Sequence, residues 1–316
     1  MMKKFILRLL LFCLAPIPLL FLLAHITDKG LQRSRYYYYS EWNDIFSGKI
    51  NADVIILGSS RAWVHFSPKI LDSILHVNSY NIGIDAASFG LQYERLKIYL
   101  EHNKKPKYIL QEVGFVSTFL AFNNVTITQQ FLPYLDDPSV WKIVKGHNST
   151  FGLADRYFPL YKYNNEYVIV KEGLLSYFGK GVKDIKYKGY CGQDKVWDSS
   201  FNDFKITNPN GIPTPIGSES VAMFKDYLDF CKANDIKVIL VYPPSYIEAL
   251  KYETNYKEIL AIYNNFSKEY NLPFYNYMND SLDYDRANFY NSQHLNRHAA
   301  EIFSTRLAND LKKEIK

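Results

Sequence analysis

Residues 53–63 read Asp-Val-Ile-Ile-Leu-Gly-Ser-Ser-Arg-Ala-Trp, and this stretch decides the fold. Val54 to Leu57 form an apolar run rich in β-branched residues, which is typical of a strand buried on both faces of a parallel sheet. The run ends at Gly58-Ser59-Ser60, where small residues permit a sharp turn and a close backbone approach to a ligand. A serine at this point suits a nucleophile that a rigid scaffold presents on a loop. An ordinary strand-to-helix turn is the alternative.

The chain beyond this stretch alternates predicted strands and helices. Ser67-Pro68 supplies a helix N-cap followed by proline at the first helical position. Further strands are predicted at Ser79–Ile82, Lys107–Val113, Ile236–Tyr242 and Pro273–Tyr277, and helices at Leu91–Tyr99, 221–231, Tyr256–Tyr270 and Ala299–Leu311. Strands separated by helices indicate an α/β fold, in which a parallel sheet lies between two helical layers. Such sheets bind ligands at the carboxyl ends of their strands, which is where Gly58-Ser59-Ser60 falls.

Composition excludes several classes of protein. Hydrophobic residues make up 47% of the 316 residues and charged residues 22%, as in a globular protein. The net charge of +5 comes without a long basic run, so nothing supports binding to nucleic acid. No cluster of Cys and His has the spacing of a zinc site, and we expect neither a metal nor a cofactor. Aromatic residues reach 16%, which suits either core packing or stacking on sugars.

The N-terminus predicts a membrane anchor. Leu9–Ala24 form an apolar segment without a charge, and the 23 residues from Phe5 to Thr27 exceed the roughly 20 that a helix needs to cross a bilayer. Lys3 and Lys4 precede them, which favours a cytoplasmic N-terminus and an exported remainder. A cleaved signal peptide is the alternative, but the segment lacks a convincing small-x-small cleavage site. An exported domain would permit a disulfide between Cys191 and Cys231, although their separation in the sequence does not establish one.

We therefore divide the chain into three parts. Residues 1–28 form a cytoplasmic stub and a single transmembrane helix that serves as a signal anchor. Residues 29–50 form a juxtamembrane stalk, in which Tyr36–Tyr39 and Trp42 are typical of an interfacial aromatic belt. Residues 51–316 form the α/β domain. Its strand-helix alternation is interrupted at about 115–217 by an insertion that is too long for a simple loop, and we expect this insertion to cover the site.

A second chemical signal lies near the C-terminus, where residues 289–296 read Phe-Tyr-Asn-Ser-Gln-His-Leu-Asn. His294 is a candidate general base, because the unperturbed pKa of histidine lies near neutrality. A structural or solvated histidine is the alternative. The loop before the last helix can lie beside the end of the first strand, so His294 could meet Ser60 across the sheet.

Three motifs in this order resemble the SGNH (GDSL-like) hydrolase superfamily: Gly58-Ser59-Ser60-Arg61, Asn81-Ile82-Gly83 and His294-Leu295-Asn296. The pattern is similar to the membrane-anchored, exported branch of that superfamily. This branch includes relatives of polysaccharide O-acetyltransferases and of the D-alanyl transfer protein of teichoic acid synthesis. The resemblance covers about residues 51–114 and 219–316. It implies a three-layer α/β/α, flavodoxin-like fold in which Ser60 is the nucleophile and His294 takes its proton.

The resemblance also implies an oxyanion hole built from backbone groups of Ser60, Ala86 and Gly114. The chain departs from the family at three positions. Ala86 replaces a usual glycine, and Gln111-Glu112-Val113-Gly114 lacks the usual asparagine, whose loss as an oxyanion donor costs about 10²–10³ in rate.

The third departure is Asn291, which stands where the family has an aspartate three residues before the histidine. The comparable change in a serine protease costs about 10⁴ in rate. Asp283 or Asp285 could supply the missing carboxylate, or a serine–histidine dyad could suffice.

The sequence therefore predicts a serine esterase or acyltransferase that is anchored outside the cytoplasmic membrane, in the periplasm or at the cell surface. Its catalytic residues would be Ser60, His294 and Asn291, with Arg61 and Trp63 lining the substrate cleft. The alternative interpretations are that Arg61 is solvated or paired with a carboxylate and that Trp63 lies in the core. The expected substrate is a small acyl ester, chiefly acetyl, of a cell-envelope or secreted glycan, and the expected partners are the membrane and a membrane-bound acyltransferase. A catalytically degenerate scaffold that binds glycan or serves in assembly is one alternative, and a lipid-ester esterase is another.

Overall fold

The computed structural model describes residues 2–37, 39–114, 127–146 and 151–315. Its contacts divide the chain into two units, one formed by Met1–Asp44 with Ile127–Asp184 and the other by Ile45–Thr126 with Ile185–Lys316. Residues 115–126 and 147–150 of the predicted insertion, and Tyr38 of the predicted aromatic belt, lie outside the described residues.

A parallel sheet forms the centre of the second unit. Its strands are β1 (Val54–Leu57), β2 (Ser79–Asn81), β3 (Tyr108–Glu112), β4 (Lys237–Tyr242) and β5 (Phe274–Asn276). They pair in the order β2-β1-β3-β4-β5, and every pairing between them is parallel. This strand order is flavodoxin-like. The chain adds β2 on one side of β1 and then crosses to add β3 on the other side, and such sheets open a crevice for a ligand at this switch point. The predicted α/β fold with a parallel sheet is confirmed. A short antiparallel pair, β6 (Phe289–Asn291) and β7 (His294–Leu295), lies outside the sheet.

The α-helices of the described residues follow in chain order. They are α1 (Met2–Leu14), α2 (Ile17–Leu31), α3 (Ser40–Phe46), α4 (Ser60–His65), α5 (Pro68–Leu75), α6 (Phe89–His102), α7 (Pro138–Gly146), α8 (Leu153–Tyr157), α9 (Tyr167–Tyr177), α10 (Ser200–Thr207), α11 (Ser218–Ala233), α12 (Ile247–Leu250), α13 (Tyr256–Glu269) and α14 (Arg297–Leu311). Short 3₁₀ segments occur at Thr128–Tyr134, Tyr161–Tyr163, Ser281–Tyr284 and Arg286–Asn288.

Helices cover both faces of the sheet, which explains why β1 is apolar throughout and does not alternate with polar residues. On one face, Val54 and Ile56 of β1 belong to a buried cluster with Phe66, which follows α4, and with Phe303 of α14. On the other face, the ring of Phe224 on α11 lies 5.0 Å from that of Phe89 on α6 and 6.0 Å from that of Tyr263 on α13. These two layers hold the carboxyl ends of β1 and β3 in place.

Helices make up the first unit. The predicted aromatic belt is wrong for Tyr39 and Trp42, because both side chains are buried in this unit. The hydroxyl of Tyr39 donates to the carbonyl of Gln129 at 3.0 Å, and the indole N–H of Trp42 donates to the side chain of Gln130 at 2.9 Å. Burial of a large aromatic ring stabilises a fold strongly, provided that the polar group of the side chain finds a hydrogen-bond partner.

The N-terminal segment forms two helices where the sequence predicts one. Helix α1 ends at Leu14 and α2 begins at Ile17, with Pro16 at its N-cap and Pro18 within its first turn. The break falls here because proline has no backbone N–H to donate to the preceding turn. Within the part of the chain that the structure describes, no helix combines the length and the apolar character needed to span a bilayer.

Candidate active site

A tight turn carries Ser60 from β1 into α4. Gly58 has a φ of +157°, and a Cβ at this position would lie 2.6 Å from the Cβ of Glu112 and 2.7 Å from that of Ala62. Real Cβ atoms do not approach so closely, so the turn requires glycine. Ser60 follows as the first residue of α4, at the carboxyl end of β1.

The structure places Ser60 and His294 within hydrogen-bonding distance. The Oγ of Ser60 lies 2.7 Å from Nε2 of His294. His294 opens β7, and His65 at the end of α4 holds that strand, since its Nε2 accepts the N–H of Leu295 at 2.9 Å. Burial lowers the pKa of His65 well below its usual value, which keeps its ring neutral and able to accept this bond.

The side chain of Asn291 determines which nitrogen of His294 carries the proton. Its Oδ1 accepts the backbone N–H of Gln293 at 3.1 Å and that of His294 at 3.0 Å, and it lies 2.9 Å from Nδ1 of His294. Backbone N–H groups can only donate, so the atom that faces them is the amide oxygen. An amide oxygen can only accept, so Nδ1 must be protonated. Nε2 is therefore the basic nitrogen that faces Ser60.

His294 is kept neutral. Burial lowers its pKa to about 4, and the positive charges of Arg61 and Lys195 act in the same direction, while Asp198 opposes them. The ring of Tyr290 stacks on the imidazole, with the two centroids 5.3 Å apart and the planes inclined by 9°. At neutral pH, His294 is thus a neutral imidazole in a fixed orientation, with Nε2 free of a proton.

The loop that follows β2 lies beside the Ser60 turn. The N–H of Ile84 donates to the carbonyl of Gly58 at 3.1 Å. Asn81 holds the start of this loop, because its Oδ1 accepts the N–H of Gly83 at 2.9 Å. Its amide group donates to the carbonyls of Ala62 at 2.7 Å and Phe66 at 3.0 Å, which satisfies the end of α4.

Ala86 lies in this loop and has a left-handed backbone, with a φ of +53°. Glycine adopts this conformation without cost, whereas alanine is strained in it. Two buried amides support the loop. Gln111 on β3 donates to Gln92 on α6 at 3.1 Å, and Gln92 donates to the carbonyl of Ala87 at 3.3 Å. Gly114 follows β3, and its carbonyl accepts the hydroxyl of Tyr263 at 2.7 Å.

Glu112 is a residue of this site that the sequence patterns did not identify. Its side chain is fully buried at the end of β3. Its Oε2 accepts the backbone N–H of Ser59 at 3.0 Å and the hydroxyl of Ser59 at 2.9 Å. An acidic residue at the end of an otherwise apolar buried strand next to β1 was the available signal, since a buried carboxylate requires partners. Glu112 therefore holds the residue immediately before Ser60.

Arg61 lies in the interior and does not line a cleft. Its guanidinium donates to the carbonyl of Pro243, to that of Pro244 at 3.3 Å and to the hydroxyl of Ser245 at 2.9 Å. It also lies 4.0 Å from a carboxylate oxygen of Glu112. These contacts join the start of α4 to the end of β4 and to β3. The interpretation of Arg61 as paired with a carboxylate fits this placement, whereas a side chain in contact with substrate does not.

Trp63 is also buried, at 6% exposure, and it packs with Val64 and Cys191. Its carbonyl accepts the N–H of Cys191 at 3.1 Å. Trp63 therefore fits the core interpretation and not the substrate-lining one. Cys191 and Cys231 are both buried and form no disulfide with each other.

Neither predicted substitute for the missing aspartate reaches His294. Asp283 accepts the backbone N–H groups of Ser245 at 3.0 Å and Asn279 at 2.8 Å. Asp285 accepts the N–H of Ala287 at 2.9 Å. Both suggestions were wrong because these carboxylates satisfy backbone donors of their own neighbourhood. Among the described residues, no group of three His, Cys, Asp or Glu side chains is placed to hold a metal ion.

This arrangement can transfer a proton and form a covalent bond. The hydroxyl of Ser60 donates toward Nε2 of His294, and Nδ1 of the same ring donates to Asn291. A serine whose hydroxyl points at a neutral, oriented imidazole is an activated nucleophile for acyl groups. Asn291 supplies orientation but no negative charge to the imidazolium that forms.

Comparisons with known proteins give weak likenesses. No family model matches the chain, and no curated protein is similar to it. Among solved structures, a protein from Bacteroides fragilis assigned as an acylhydrolase is 12% identical, with 83% of this chain and 88% of that chain covered and a TM-score of 0.39. A protein from Desulfitobacterium hafniense assigned to the G-D-S-L family of lipolytic proteins is 11% identical, with 82% and 99% covered and a TM-score of 0.41. A GDSL-like lipase from Bacteroides thetaiotaomicron is 11% identical, with 87% and 99% covered and a TM-score of 0.38. Likenesses this weak carry no argument about function, which must be inferred from the geometry of Ser60, His294 and Asn291.

Proposed function

We propose that this protein is a serine esterase or acyltransferase of the SGNH type. One observation carries the proposal, namely the continuous chain of hydrogen bonds from Ser60 through His294 to Asn291. The Oγ of Ser60 lies 2.7 Å from Nε2, and Nδ1 lies 2.9 Å from the amide oxygen. Accidental pairs of serine and histidine rarely combine such distances with a third group that sets the tautomer.

The proposed reaction has two steps. In the first, Ser60 Oγ attacks the carbonyl carbon of an ester while His294 takes the hydroxyl proton, and collapse of the tetrahedral intermediate returns that proton to the departing alcohol. In the second, a water molecule or a sugar hydroxyl loses its proton to His294 and attacks the acyl carbon, and His294 returns a proton to Ser60 Oγ as the bond between that oxygen and the acyl group breaks. Water gives hydrolysis and a sugar hydroxyl gives transfer. Backbone N–H groups at Ser60, Ala86 and Gly114 are the candidate oxyanion donors.

The proposed substrate is a small acyl ester, chiefly acetyl, of a glycan in the cell envelope or outside the cell. The three sequence motifs support this class, through their similarity to the exported branch that modifies such polymers. A membrane-bound acyltransferase would be the acyl donor, and tethering beside it would raise the effective concentration of the two partners.

We propose that α1 and α2 hold the protein in the membrane, with the second unit outside the cytoplasm. Large apolar side chains such as Phe12 of α1 and Leu19 of α2 are exposed along both helices, where no protein surface covers them. Exposed apolar side chains on successive helices are expected where lipid replaces water as the solvent. Lys3 and Lys4 precede them on the side predicted to be cytoplasmic.

A fluorophosphonate probe tests the proposed nucleophile. The probe should label the wild type and fail to label Ser60→Ala. Ser59→Ala is the matched control, because Ser59 is adjacent but its hydroxyl binds Glu112, and this variant should still be labelled. No labelling of the folded wild type would favour the alternative, a degenerate scaffold that binds glycan. Rates on acetyl and long-chain p-nitrophenyl esters then separate the small-acyl substrate from a lipid ester.

A further inference from the structure

The first unit carries exposed apolar side chains beyond those of α1 and α2. They lie at the end of α8 and on the residue after it, on the 3₁₀ segment that follows and on the first turn of α9. We call them the collar, and it consists of Tyr157, Phe158, Tyr161, Tyr167 and Val168. Tyr167 is 79% exposed and Phe158 is 67% exposed. Single exposed apolar residues need no explanation, but a run of aromatic ones within a single helical unit marks a binding surface.

Helix α9 packs closely along α2. A Cβ on Gly30 would lie 1.7 Å from the carbonyl oxygen of Gly173, and a Cβ on Gly173 would lie 2.7 Å from the carbonyl oxygen of Thr27. The absence of both side chains is therefore what allows the two backbones to touch. Thr27 and Gly30 are buried, in contrast to the exposed side chains near the start of α2.

The two helices run in the same direction. A Cβ on Gly173 would meet Thr27, whereas a Cβ on Gly30, further along α2, would also lie 3.0 Å from the backbone nitrogen of Tyr177, further along α9. The guanidinium of Arg33, two residues beyond the end of α2, lies 5.3 Å from the ring centroid of Tyr177. The start of α9 therefore points toward the start of α2. Tyr167 precedes Gly173 by six residues, or roughly 9 Å along the axis. This places Tyr167 beside the part of α2 where the packed region gives way to the exposed apolar one.

A second contact places the other end of the collar beside the packed part of α2. The Nζ of Lys162 donates to Asp28 of α2 at 3.0 Å, and the hydroxyl of Tyr163 binds the same carboxylate. The side chain of Lys162 is only 7% exposed, so this ion pair belongs to the packed part of the unit. Tyr161 immediately precedes these two residues. The collar thus extends along α2 from the packed part near Asp28 to the level at which the exposed apolar stretch ends.

We infer that the collar rests in the boundary between lipid headgroups and acyl chains of the membrane that holds α1 and α2. The inference depends on the membrane anchoring under the proposed function. Continuity with the exposed apolar helices identifies the bilayer as the occupant. The solvent that surrounds the exposed apolar stretch of α2 must also contact Tyr167, which lies beside the end of that stretch. The composition agrees, since tyrosine places an apolar ring in the lipid and its hydroxyl in the headgroup layer.

Depth measurements on the full chain test this inference. Single cysteines at Tyr167→Cys and Phe158→Cys are labelled with a nitrobenzoxadiazole fluorophore in a Cys13→Ser background, where Cys191 and Cys231 are buried. The protein is placed in vesicles of phosphatidylethanolamine and phosphatidylglycerol that contain lipids with a nitroxide on the acyl chain. Leu19→Cys reports on the anchor. Phe178→Cys is the matched control, because this exposed residue lies at the far end of α9, roughly 16 Å from Tyr167.

We expect quenching and a blue-shifted emission at Leu19, Phe158 and Tyr167, and neither at Phe178. Quenching at Leu19 alone would refute the collar and leave the anchor in place. No quenching at Leu19 would refute the anchor and with it the collar. Equal quenching at Phe178 would also overturn the inference, because the whole length of α9 would then be immersed. Fluorophosphonate labelling of Ser60 is read separately, so loss of the esterase proposal is distinguishable from each of these results.

Discussion

The amide oxygen of Asn291 lies 2.9 Å from Nδ1 of His294 and also accepts the backbone N–H of the same histidine at 3.0 Å. The backbone thus fixes the orientation of the amide, and the amide fixes the tautomer of the ring. In a serine protease, asparagine in place of the aspartate leaves the ring in the wrong tautomer, which is the main reason for its large cost. Asn291 does not incur that part of the cost, although it lacks the negative charge.

Asn291→Asp should raise kcat by about 10- to 100-fold. The carboxylate would accept the same two backbone N–H groups and would also stabilise the imidazolium, and the gain stays below the full 10⁴ because the tautomer is already correct. Asn291→Leu should lower kcat by at least about 10²-fold, since nothing then selects Nδ1–H. Steady-state kinetics on p-nitrophenyl acetate, with thermal unfolding as a check on folding, measures both. Equal activity of Asn291→Leu and wild type would contradict the assigned role.

The pH profile should reflect the low pKa of His294. Because burial lowers this pKa to about 4, kcat/KM should be level from about pH 5 upward through neutrality and fall about tenfold per unit below pH 4. Stability should change in the same direction. The unfolded chain binds a proton on this histidine below its ordinary pKa of 6.5 and the folded chain does not until about 4, so stability falls as the pH drops through that interval. A rate that declines already between pH 7 and 6 would contradict this assignment.

Two charge changes near His294 should move the acidic limb of that profile in opposite directions. Lys195→Gln removes a positive charge and should shift the limb to higher pH, whereas Asp198→Asn removes a negative charge and should shift it to lower pH. Both side chains are exposed, so each shift should be a few tenths of a unit and should shrink at high salt. Profiles recorded at low and high ionic strength test this pair. Shifts of the same sign would show that the effect is not electrostatic.

Glu112→Gln should destabilise the protein by about 3 kcal/mol, since it deprives the buried Arg61 of the carboxylate that lies 4.0 Å from it. The substitution should also lower kcat by up to about 10²-fold. Glu112 holds Ser59, and Ser59 in turn positions the adjacent nucleophile Ser60. Urea unfolding and steady-state kinetics measure the two effects. Glu94→Gln is the control, because its pair with Lys97 is partly exposed and should contribute less than about 1 kcal/mol. Equal losses in the two variants would contradict the role given to Glu112.

Ala86→Gly should stabilise the protein by about 0.5–1 kcal/mol. The φ of +53° costs alanine about 1–2 kcal/mol, which outweighs the entropy that glycine loses on folding. Ala87→Gly, at the buried neighbouring position, should be destabilising and serves as the control. Denaturation midpoints compare the two variants, and a loss of stability in Ala86→Gly would show that the loop carries no such strain.

Local patterns predicted the elements of the second unit well. The sequence predicted a helix at Tyr256–Tyr270, and α13 covers Tyr256–Glu269. It predicted a strand at Ile236–Tyr242, and β4 covers Lys237–Tyr242. Periodicity and apolar runs report burial directly, because the side chains that leave water are neighbours along the chain or one helical turn apart. The first unit was harder to predict, because the burial of Trp42 depends on Gln130, a residue remote in the sequence.

The sequence by itself determined the alternation of strands and helices, the glycine turn before Ser60 and the serine and histidine proposed to react. Tertiary structure alone decided that Arg61 faces backbone carbonyls, that Glu112 holds Ser59 and that Asn291 turns its oxygen toward His294. The physical reason is that burial follows from the hydrophobicity of a segment. The partner of a buried polar group, by contrast, depends on which donors and acceptors the packed sheet and helices bring within hydrogen-bonding distance.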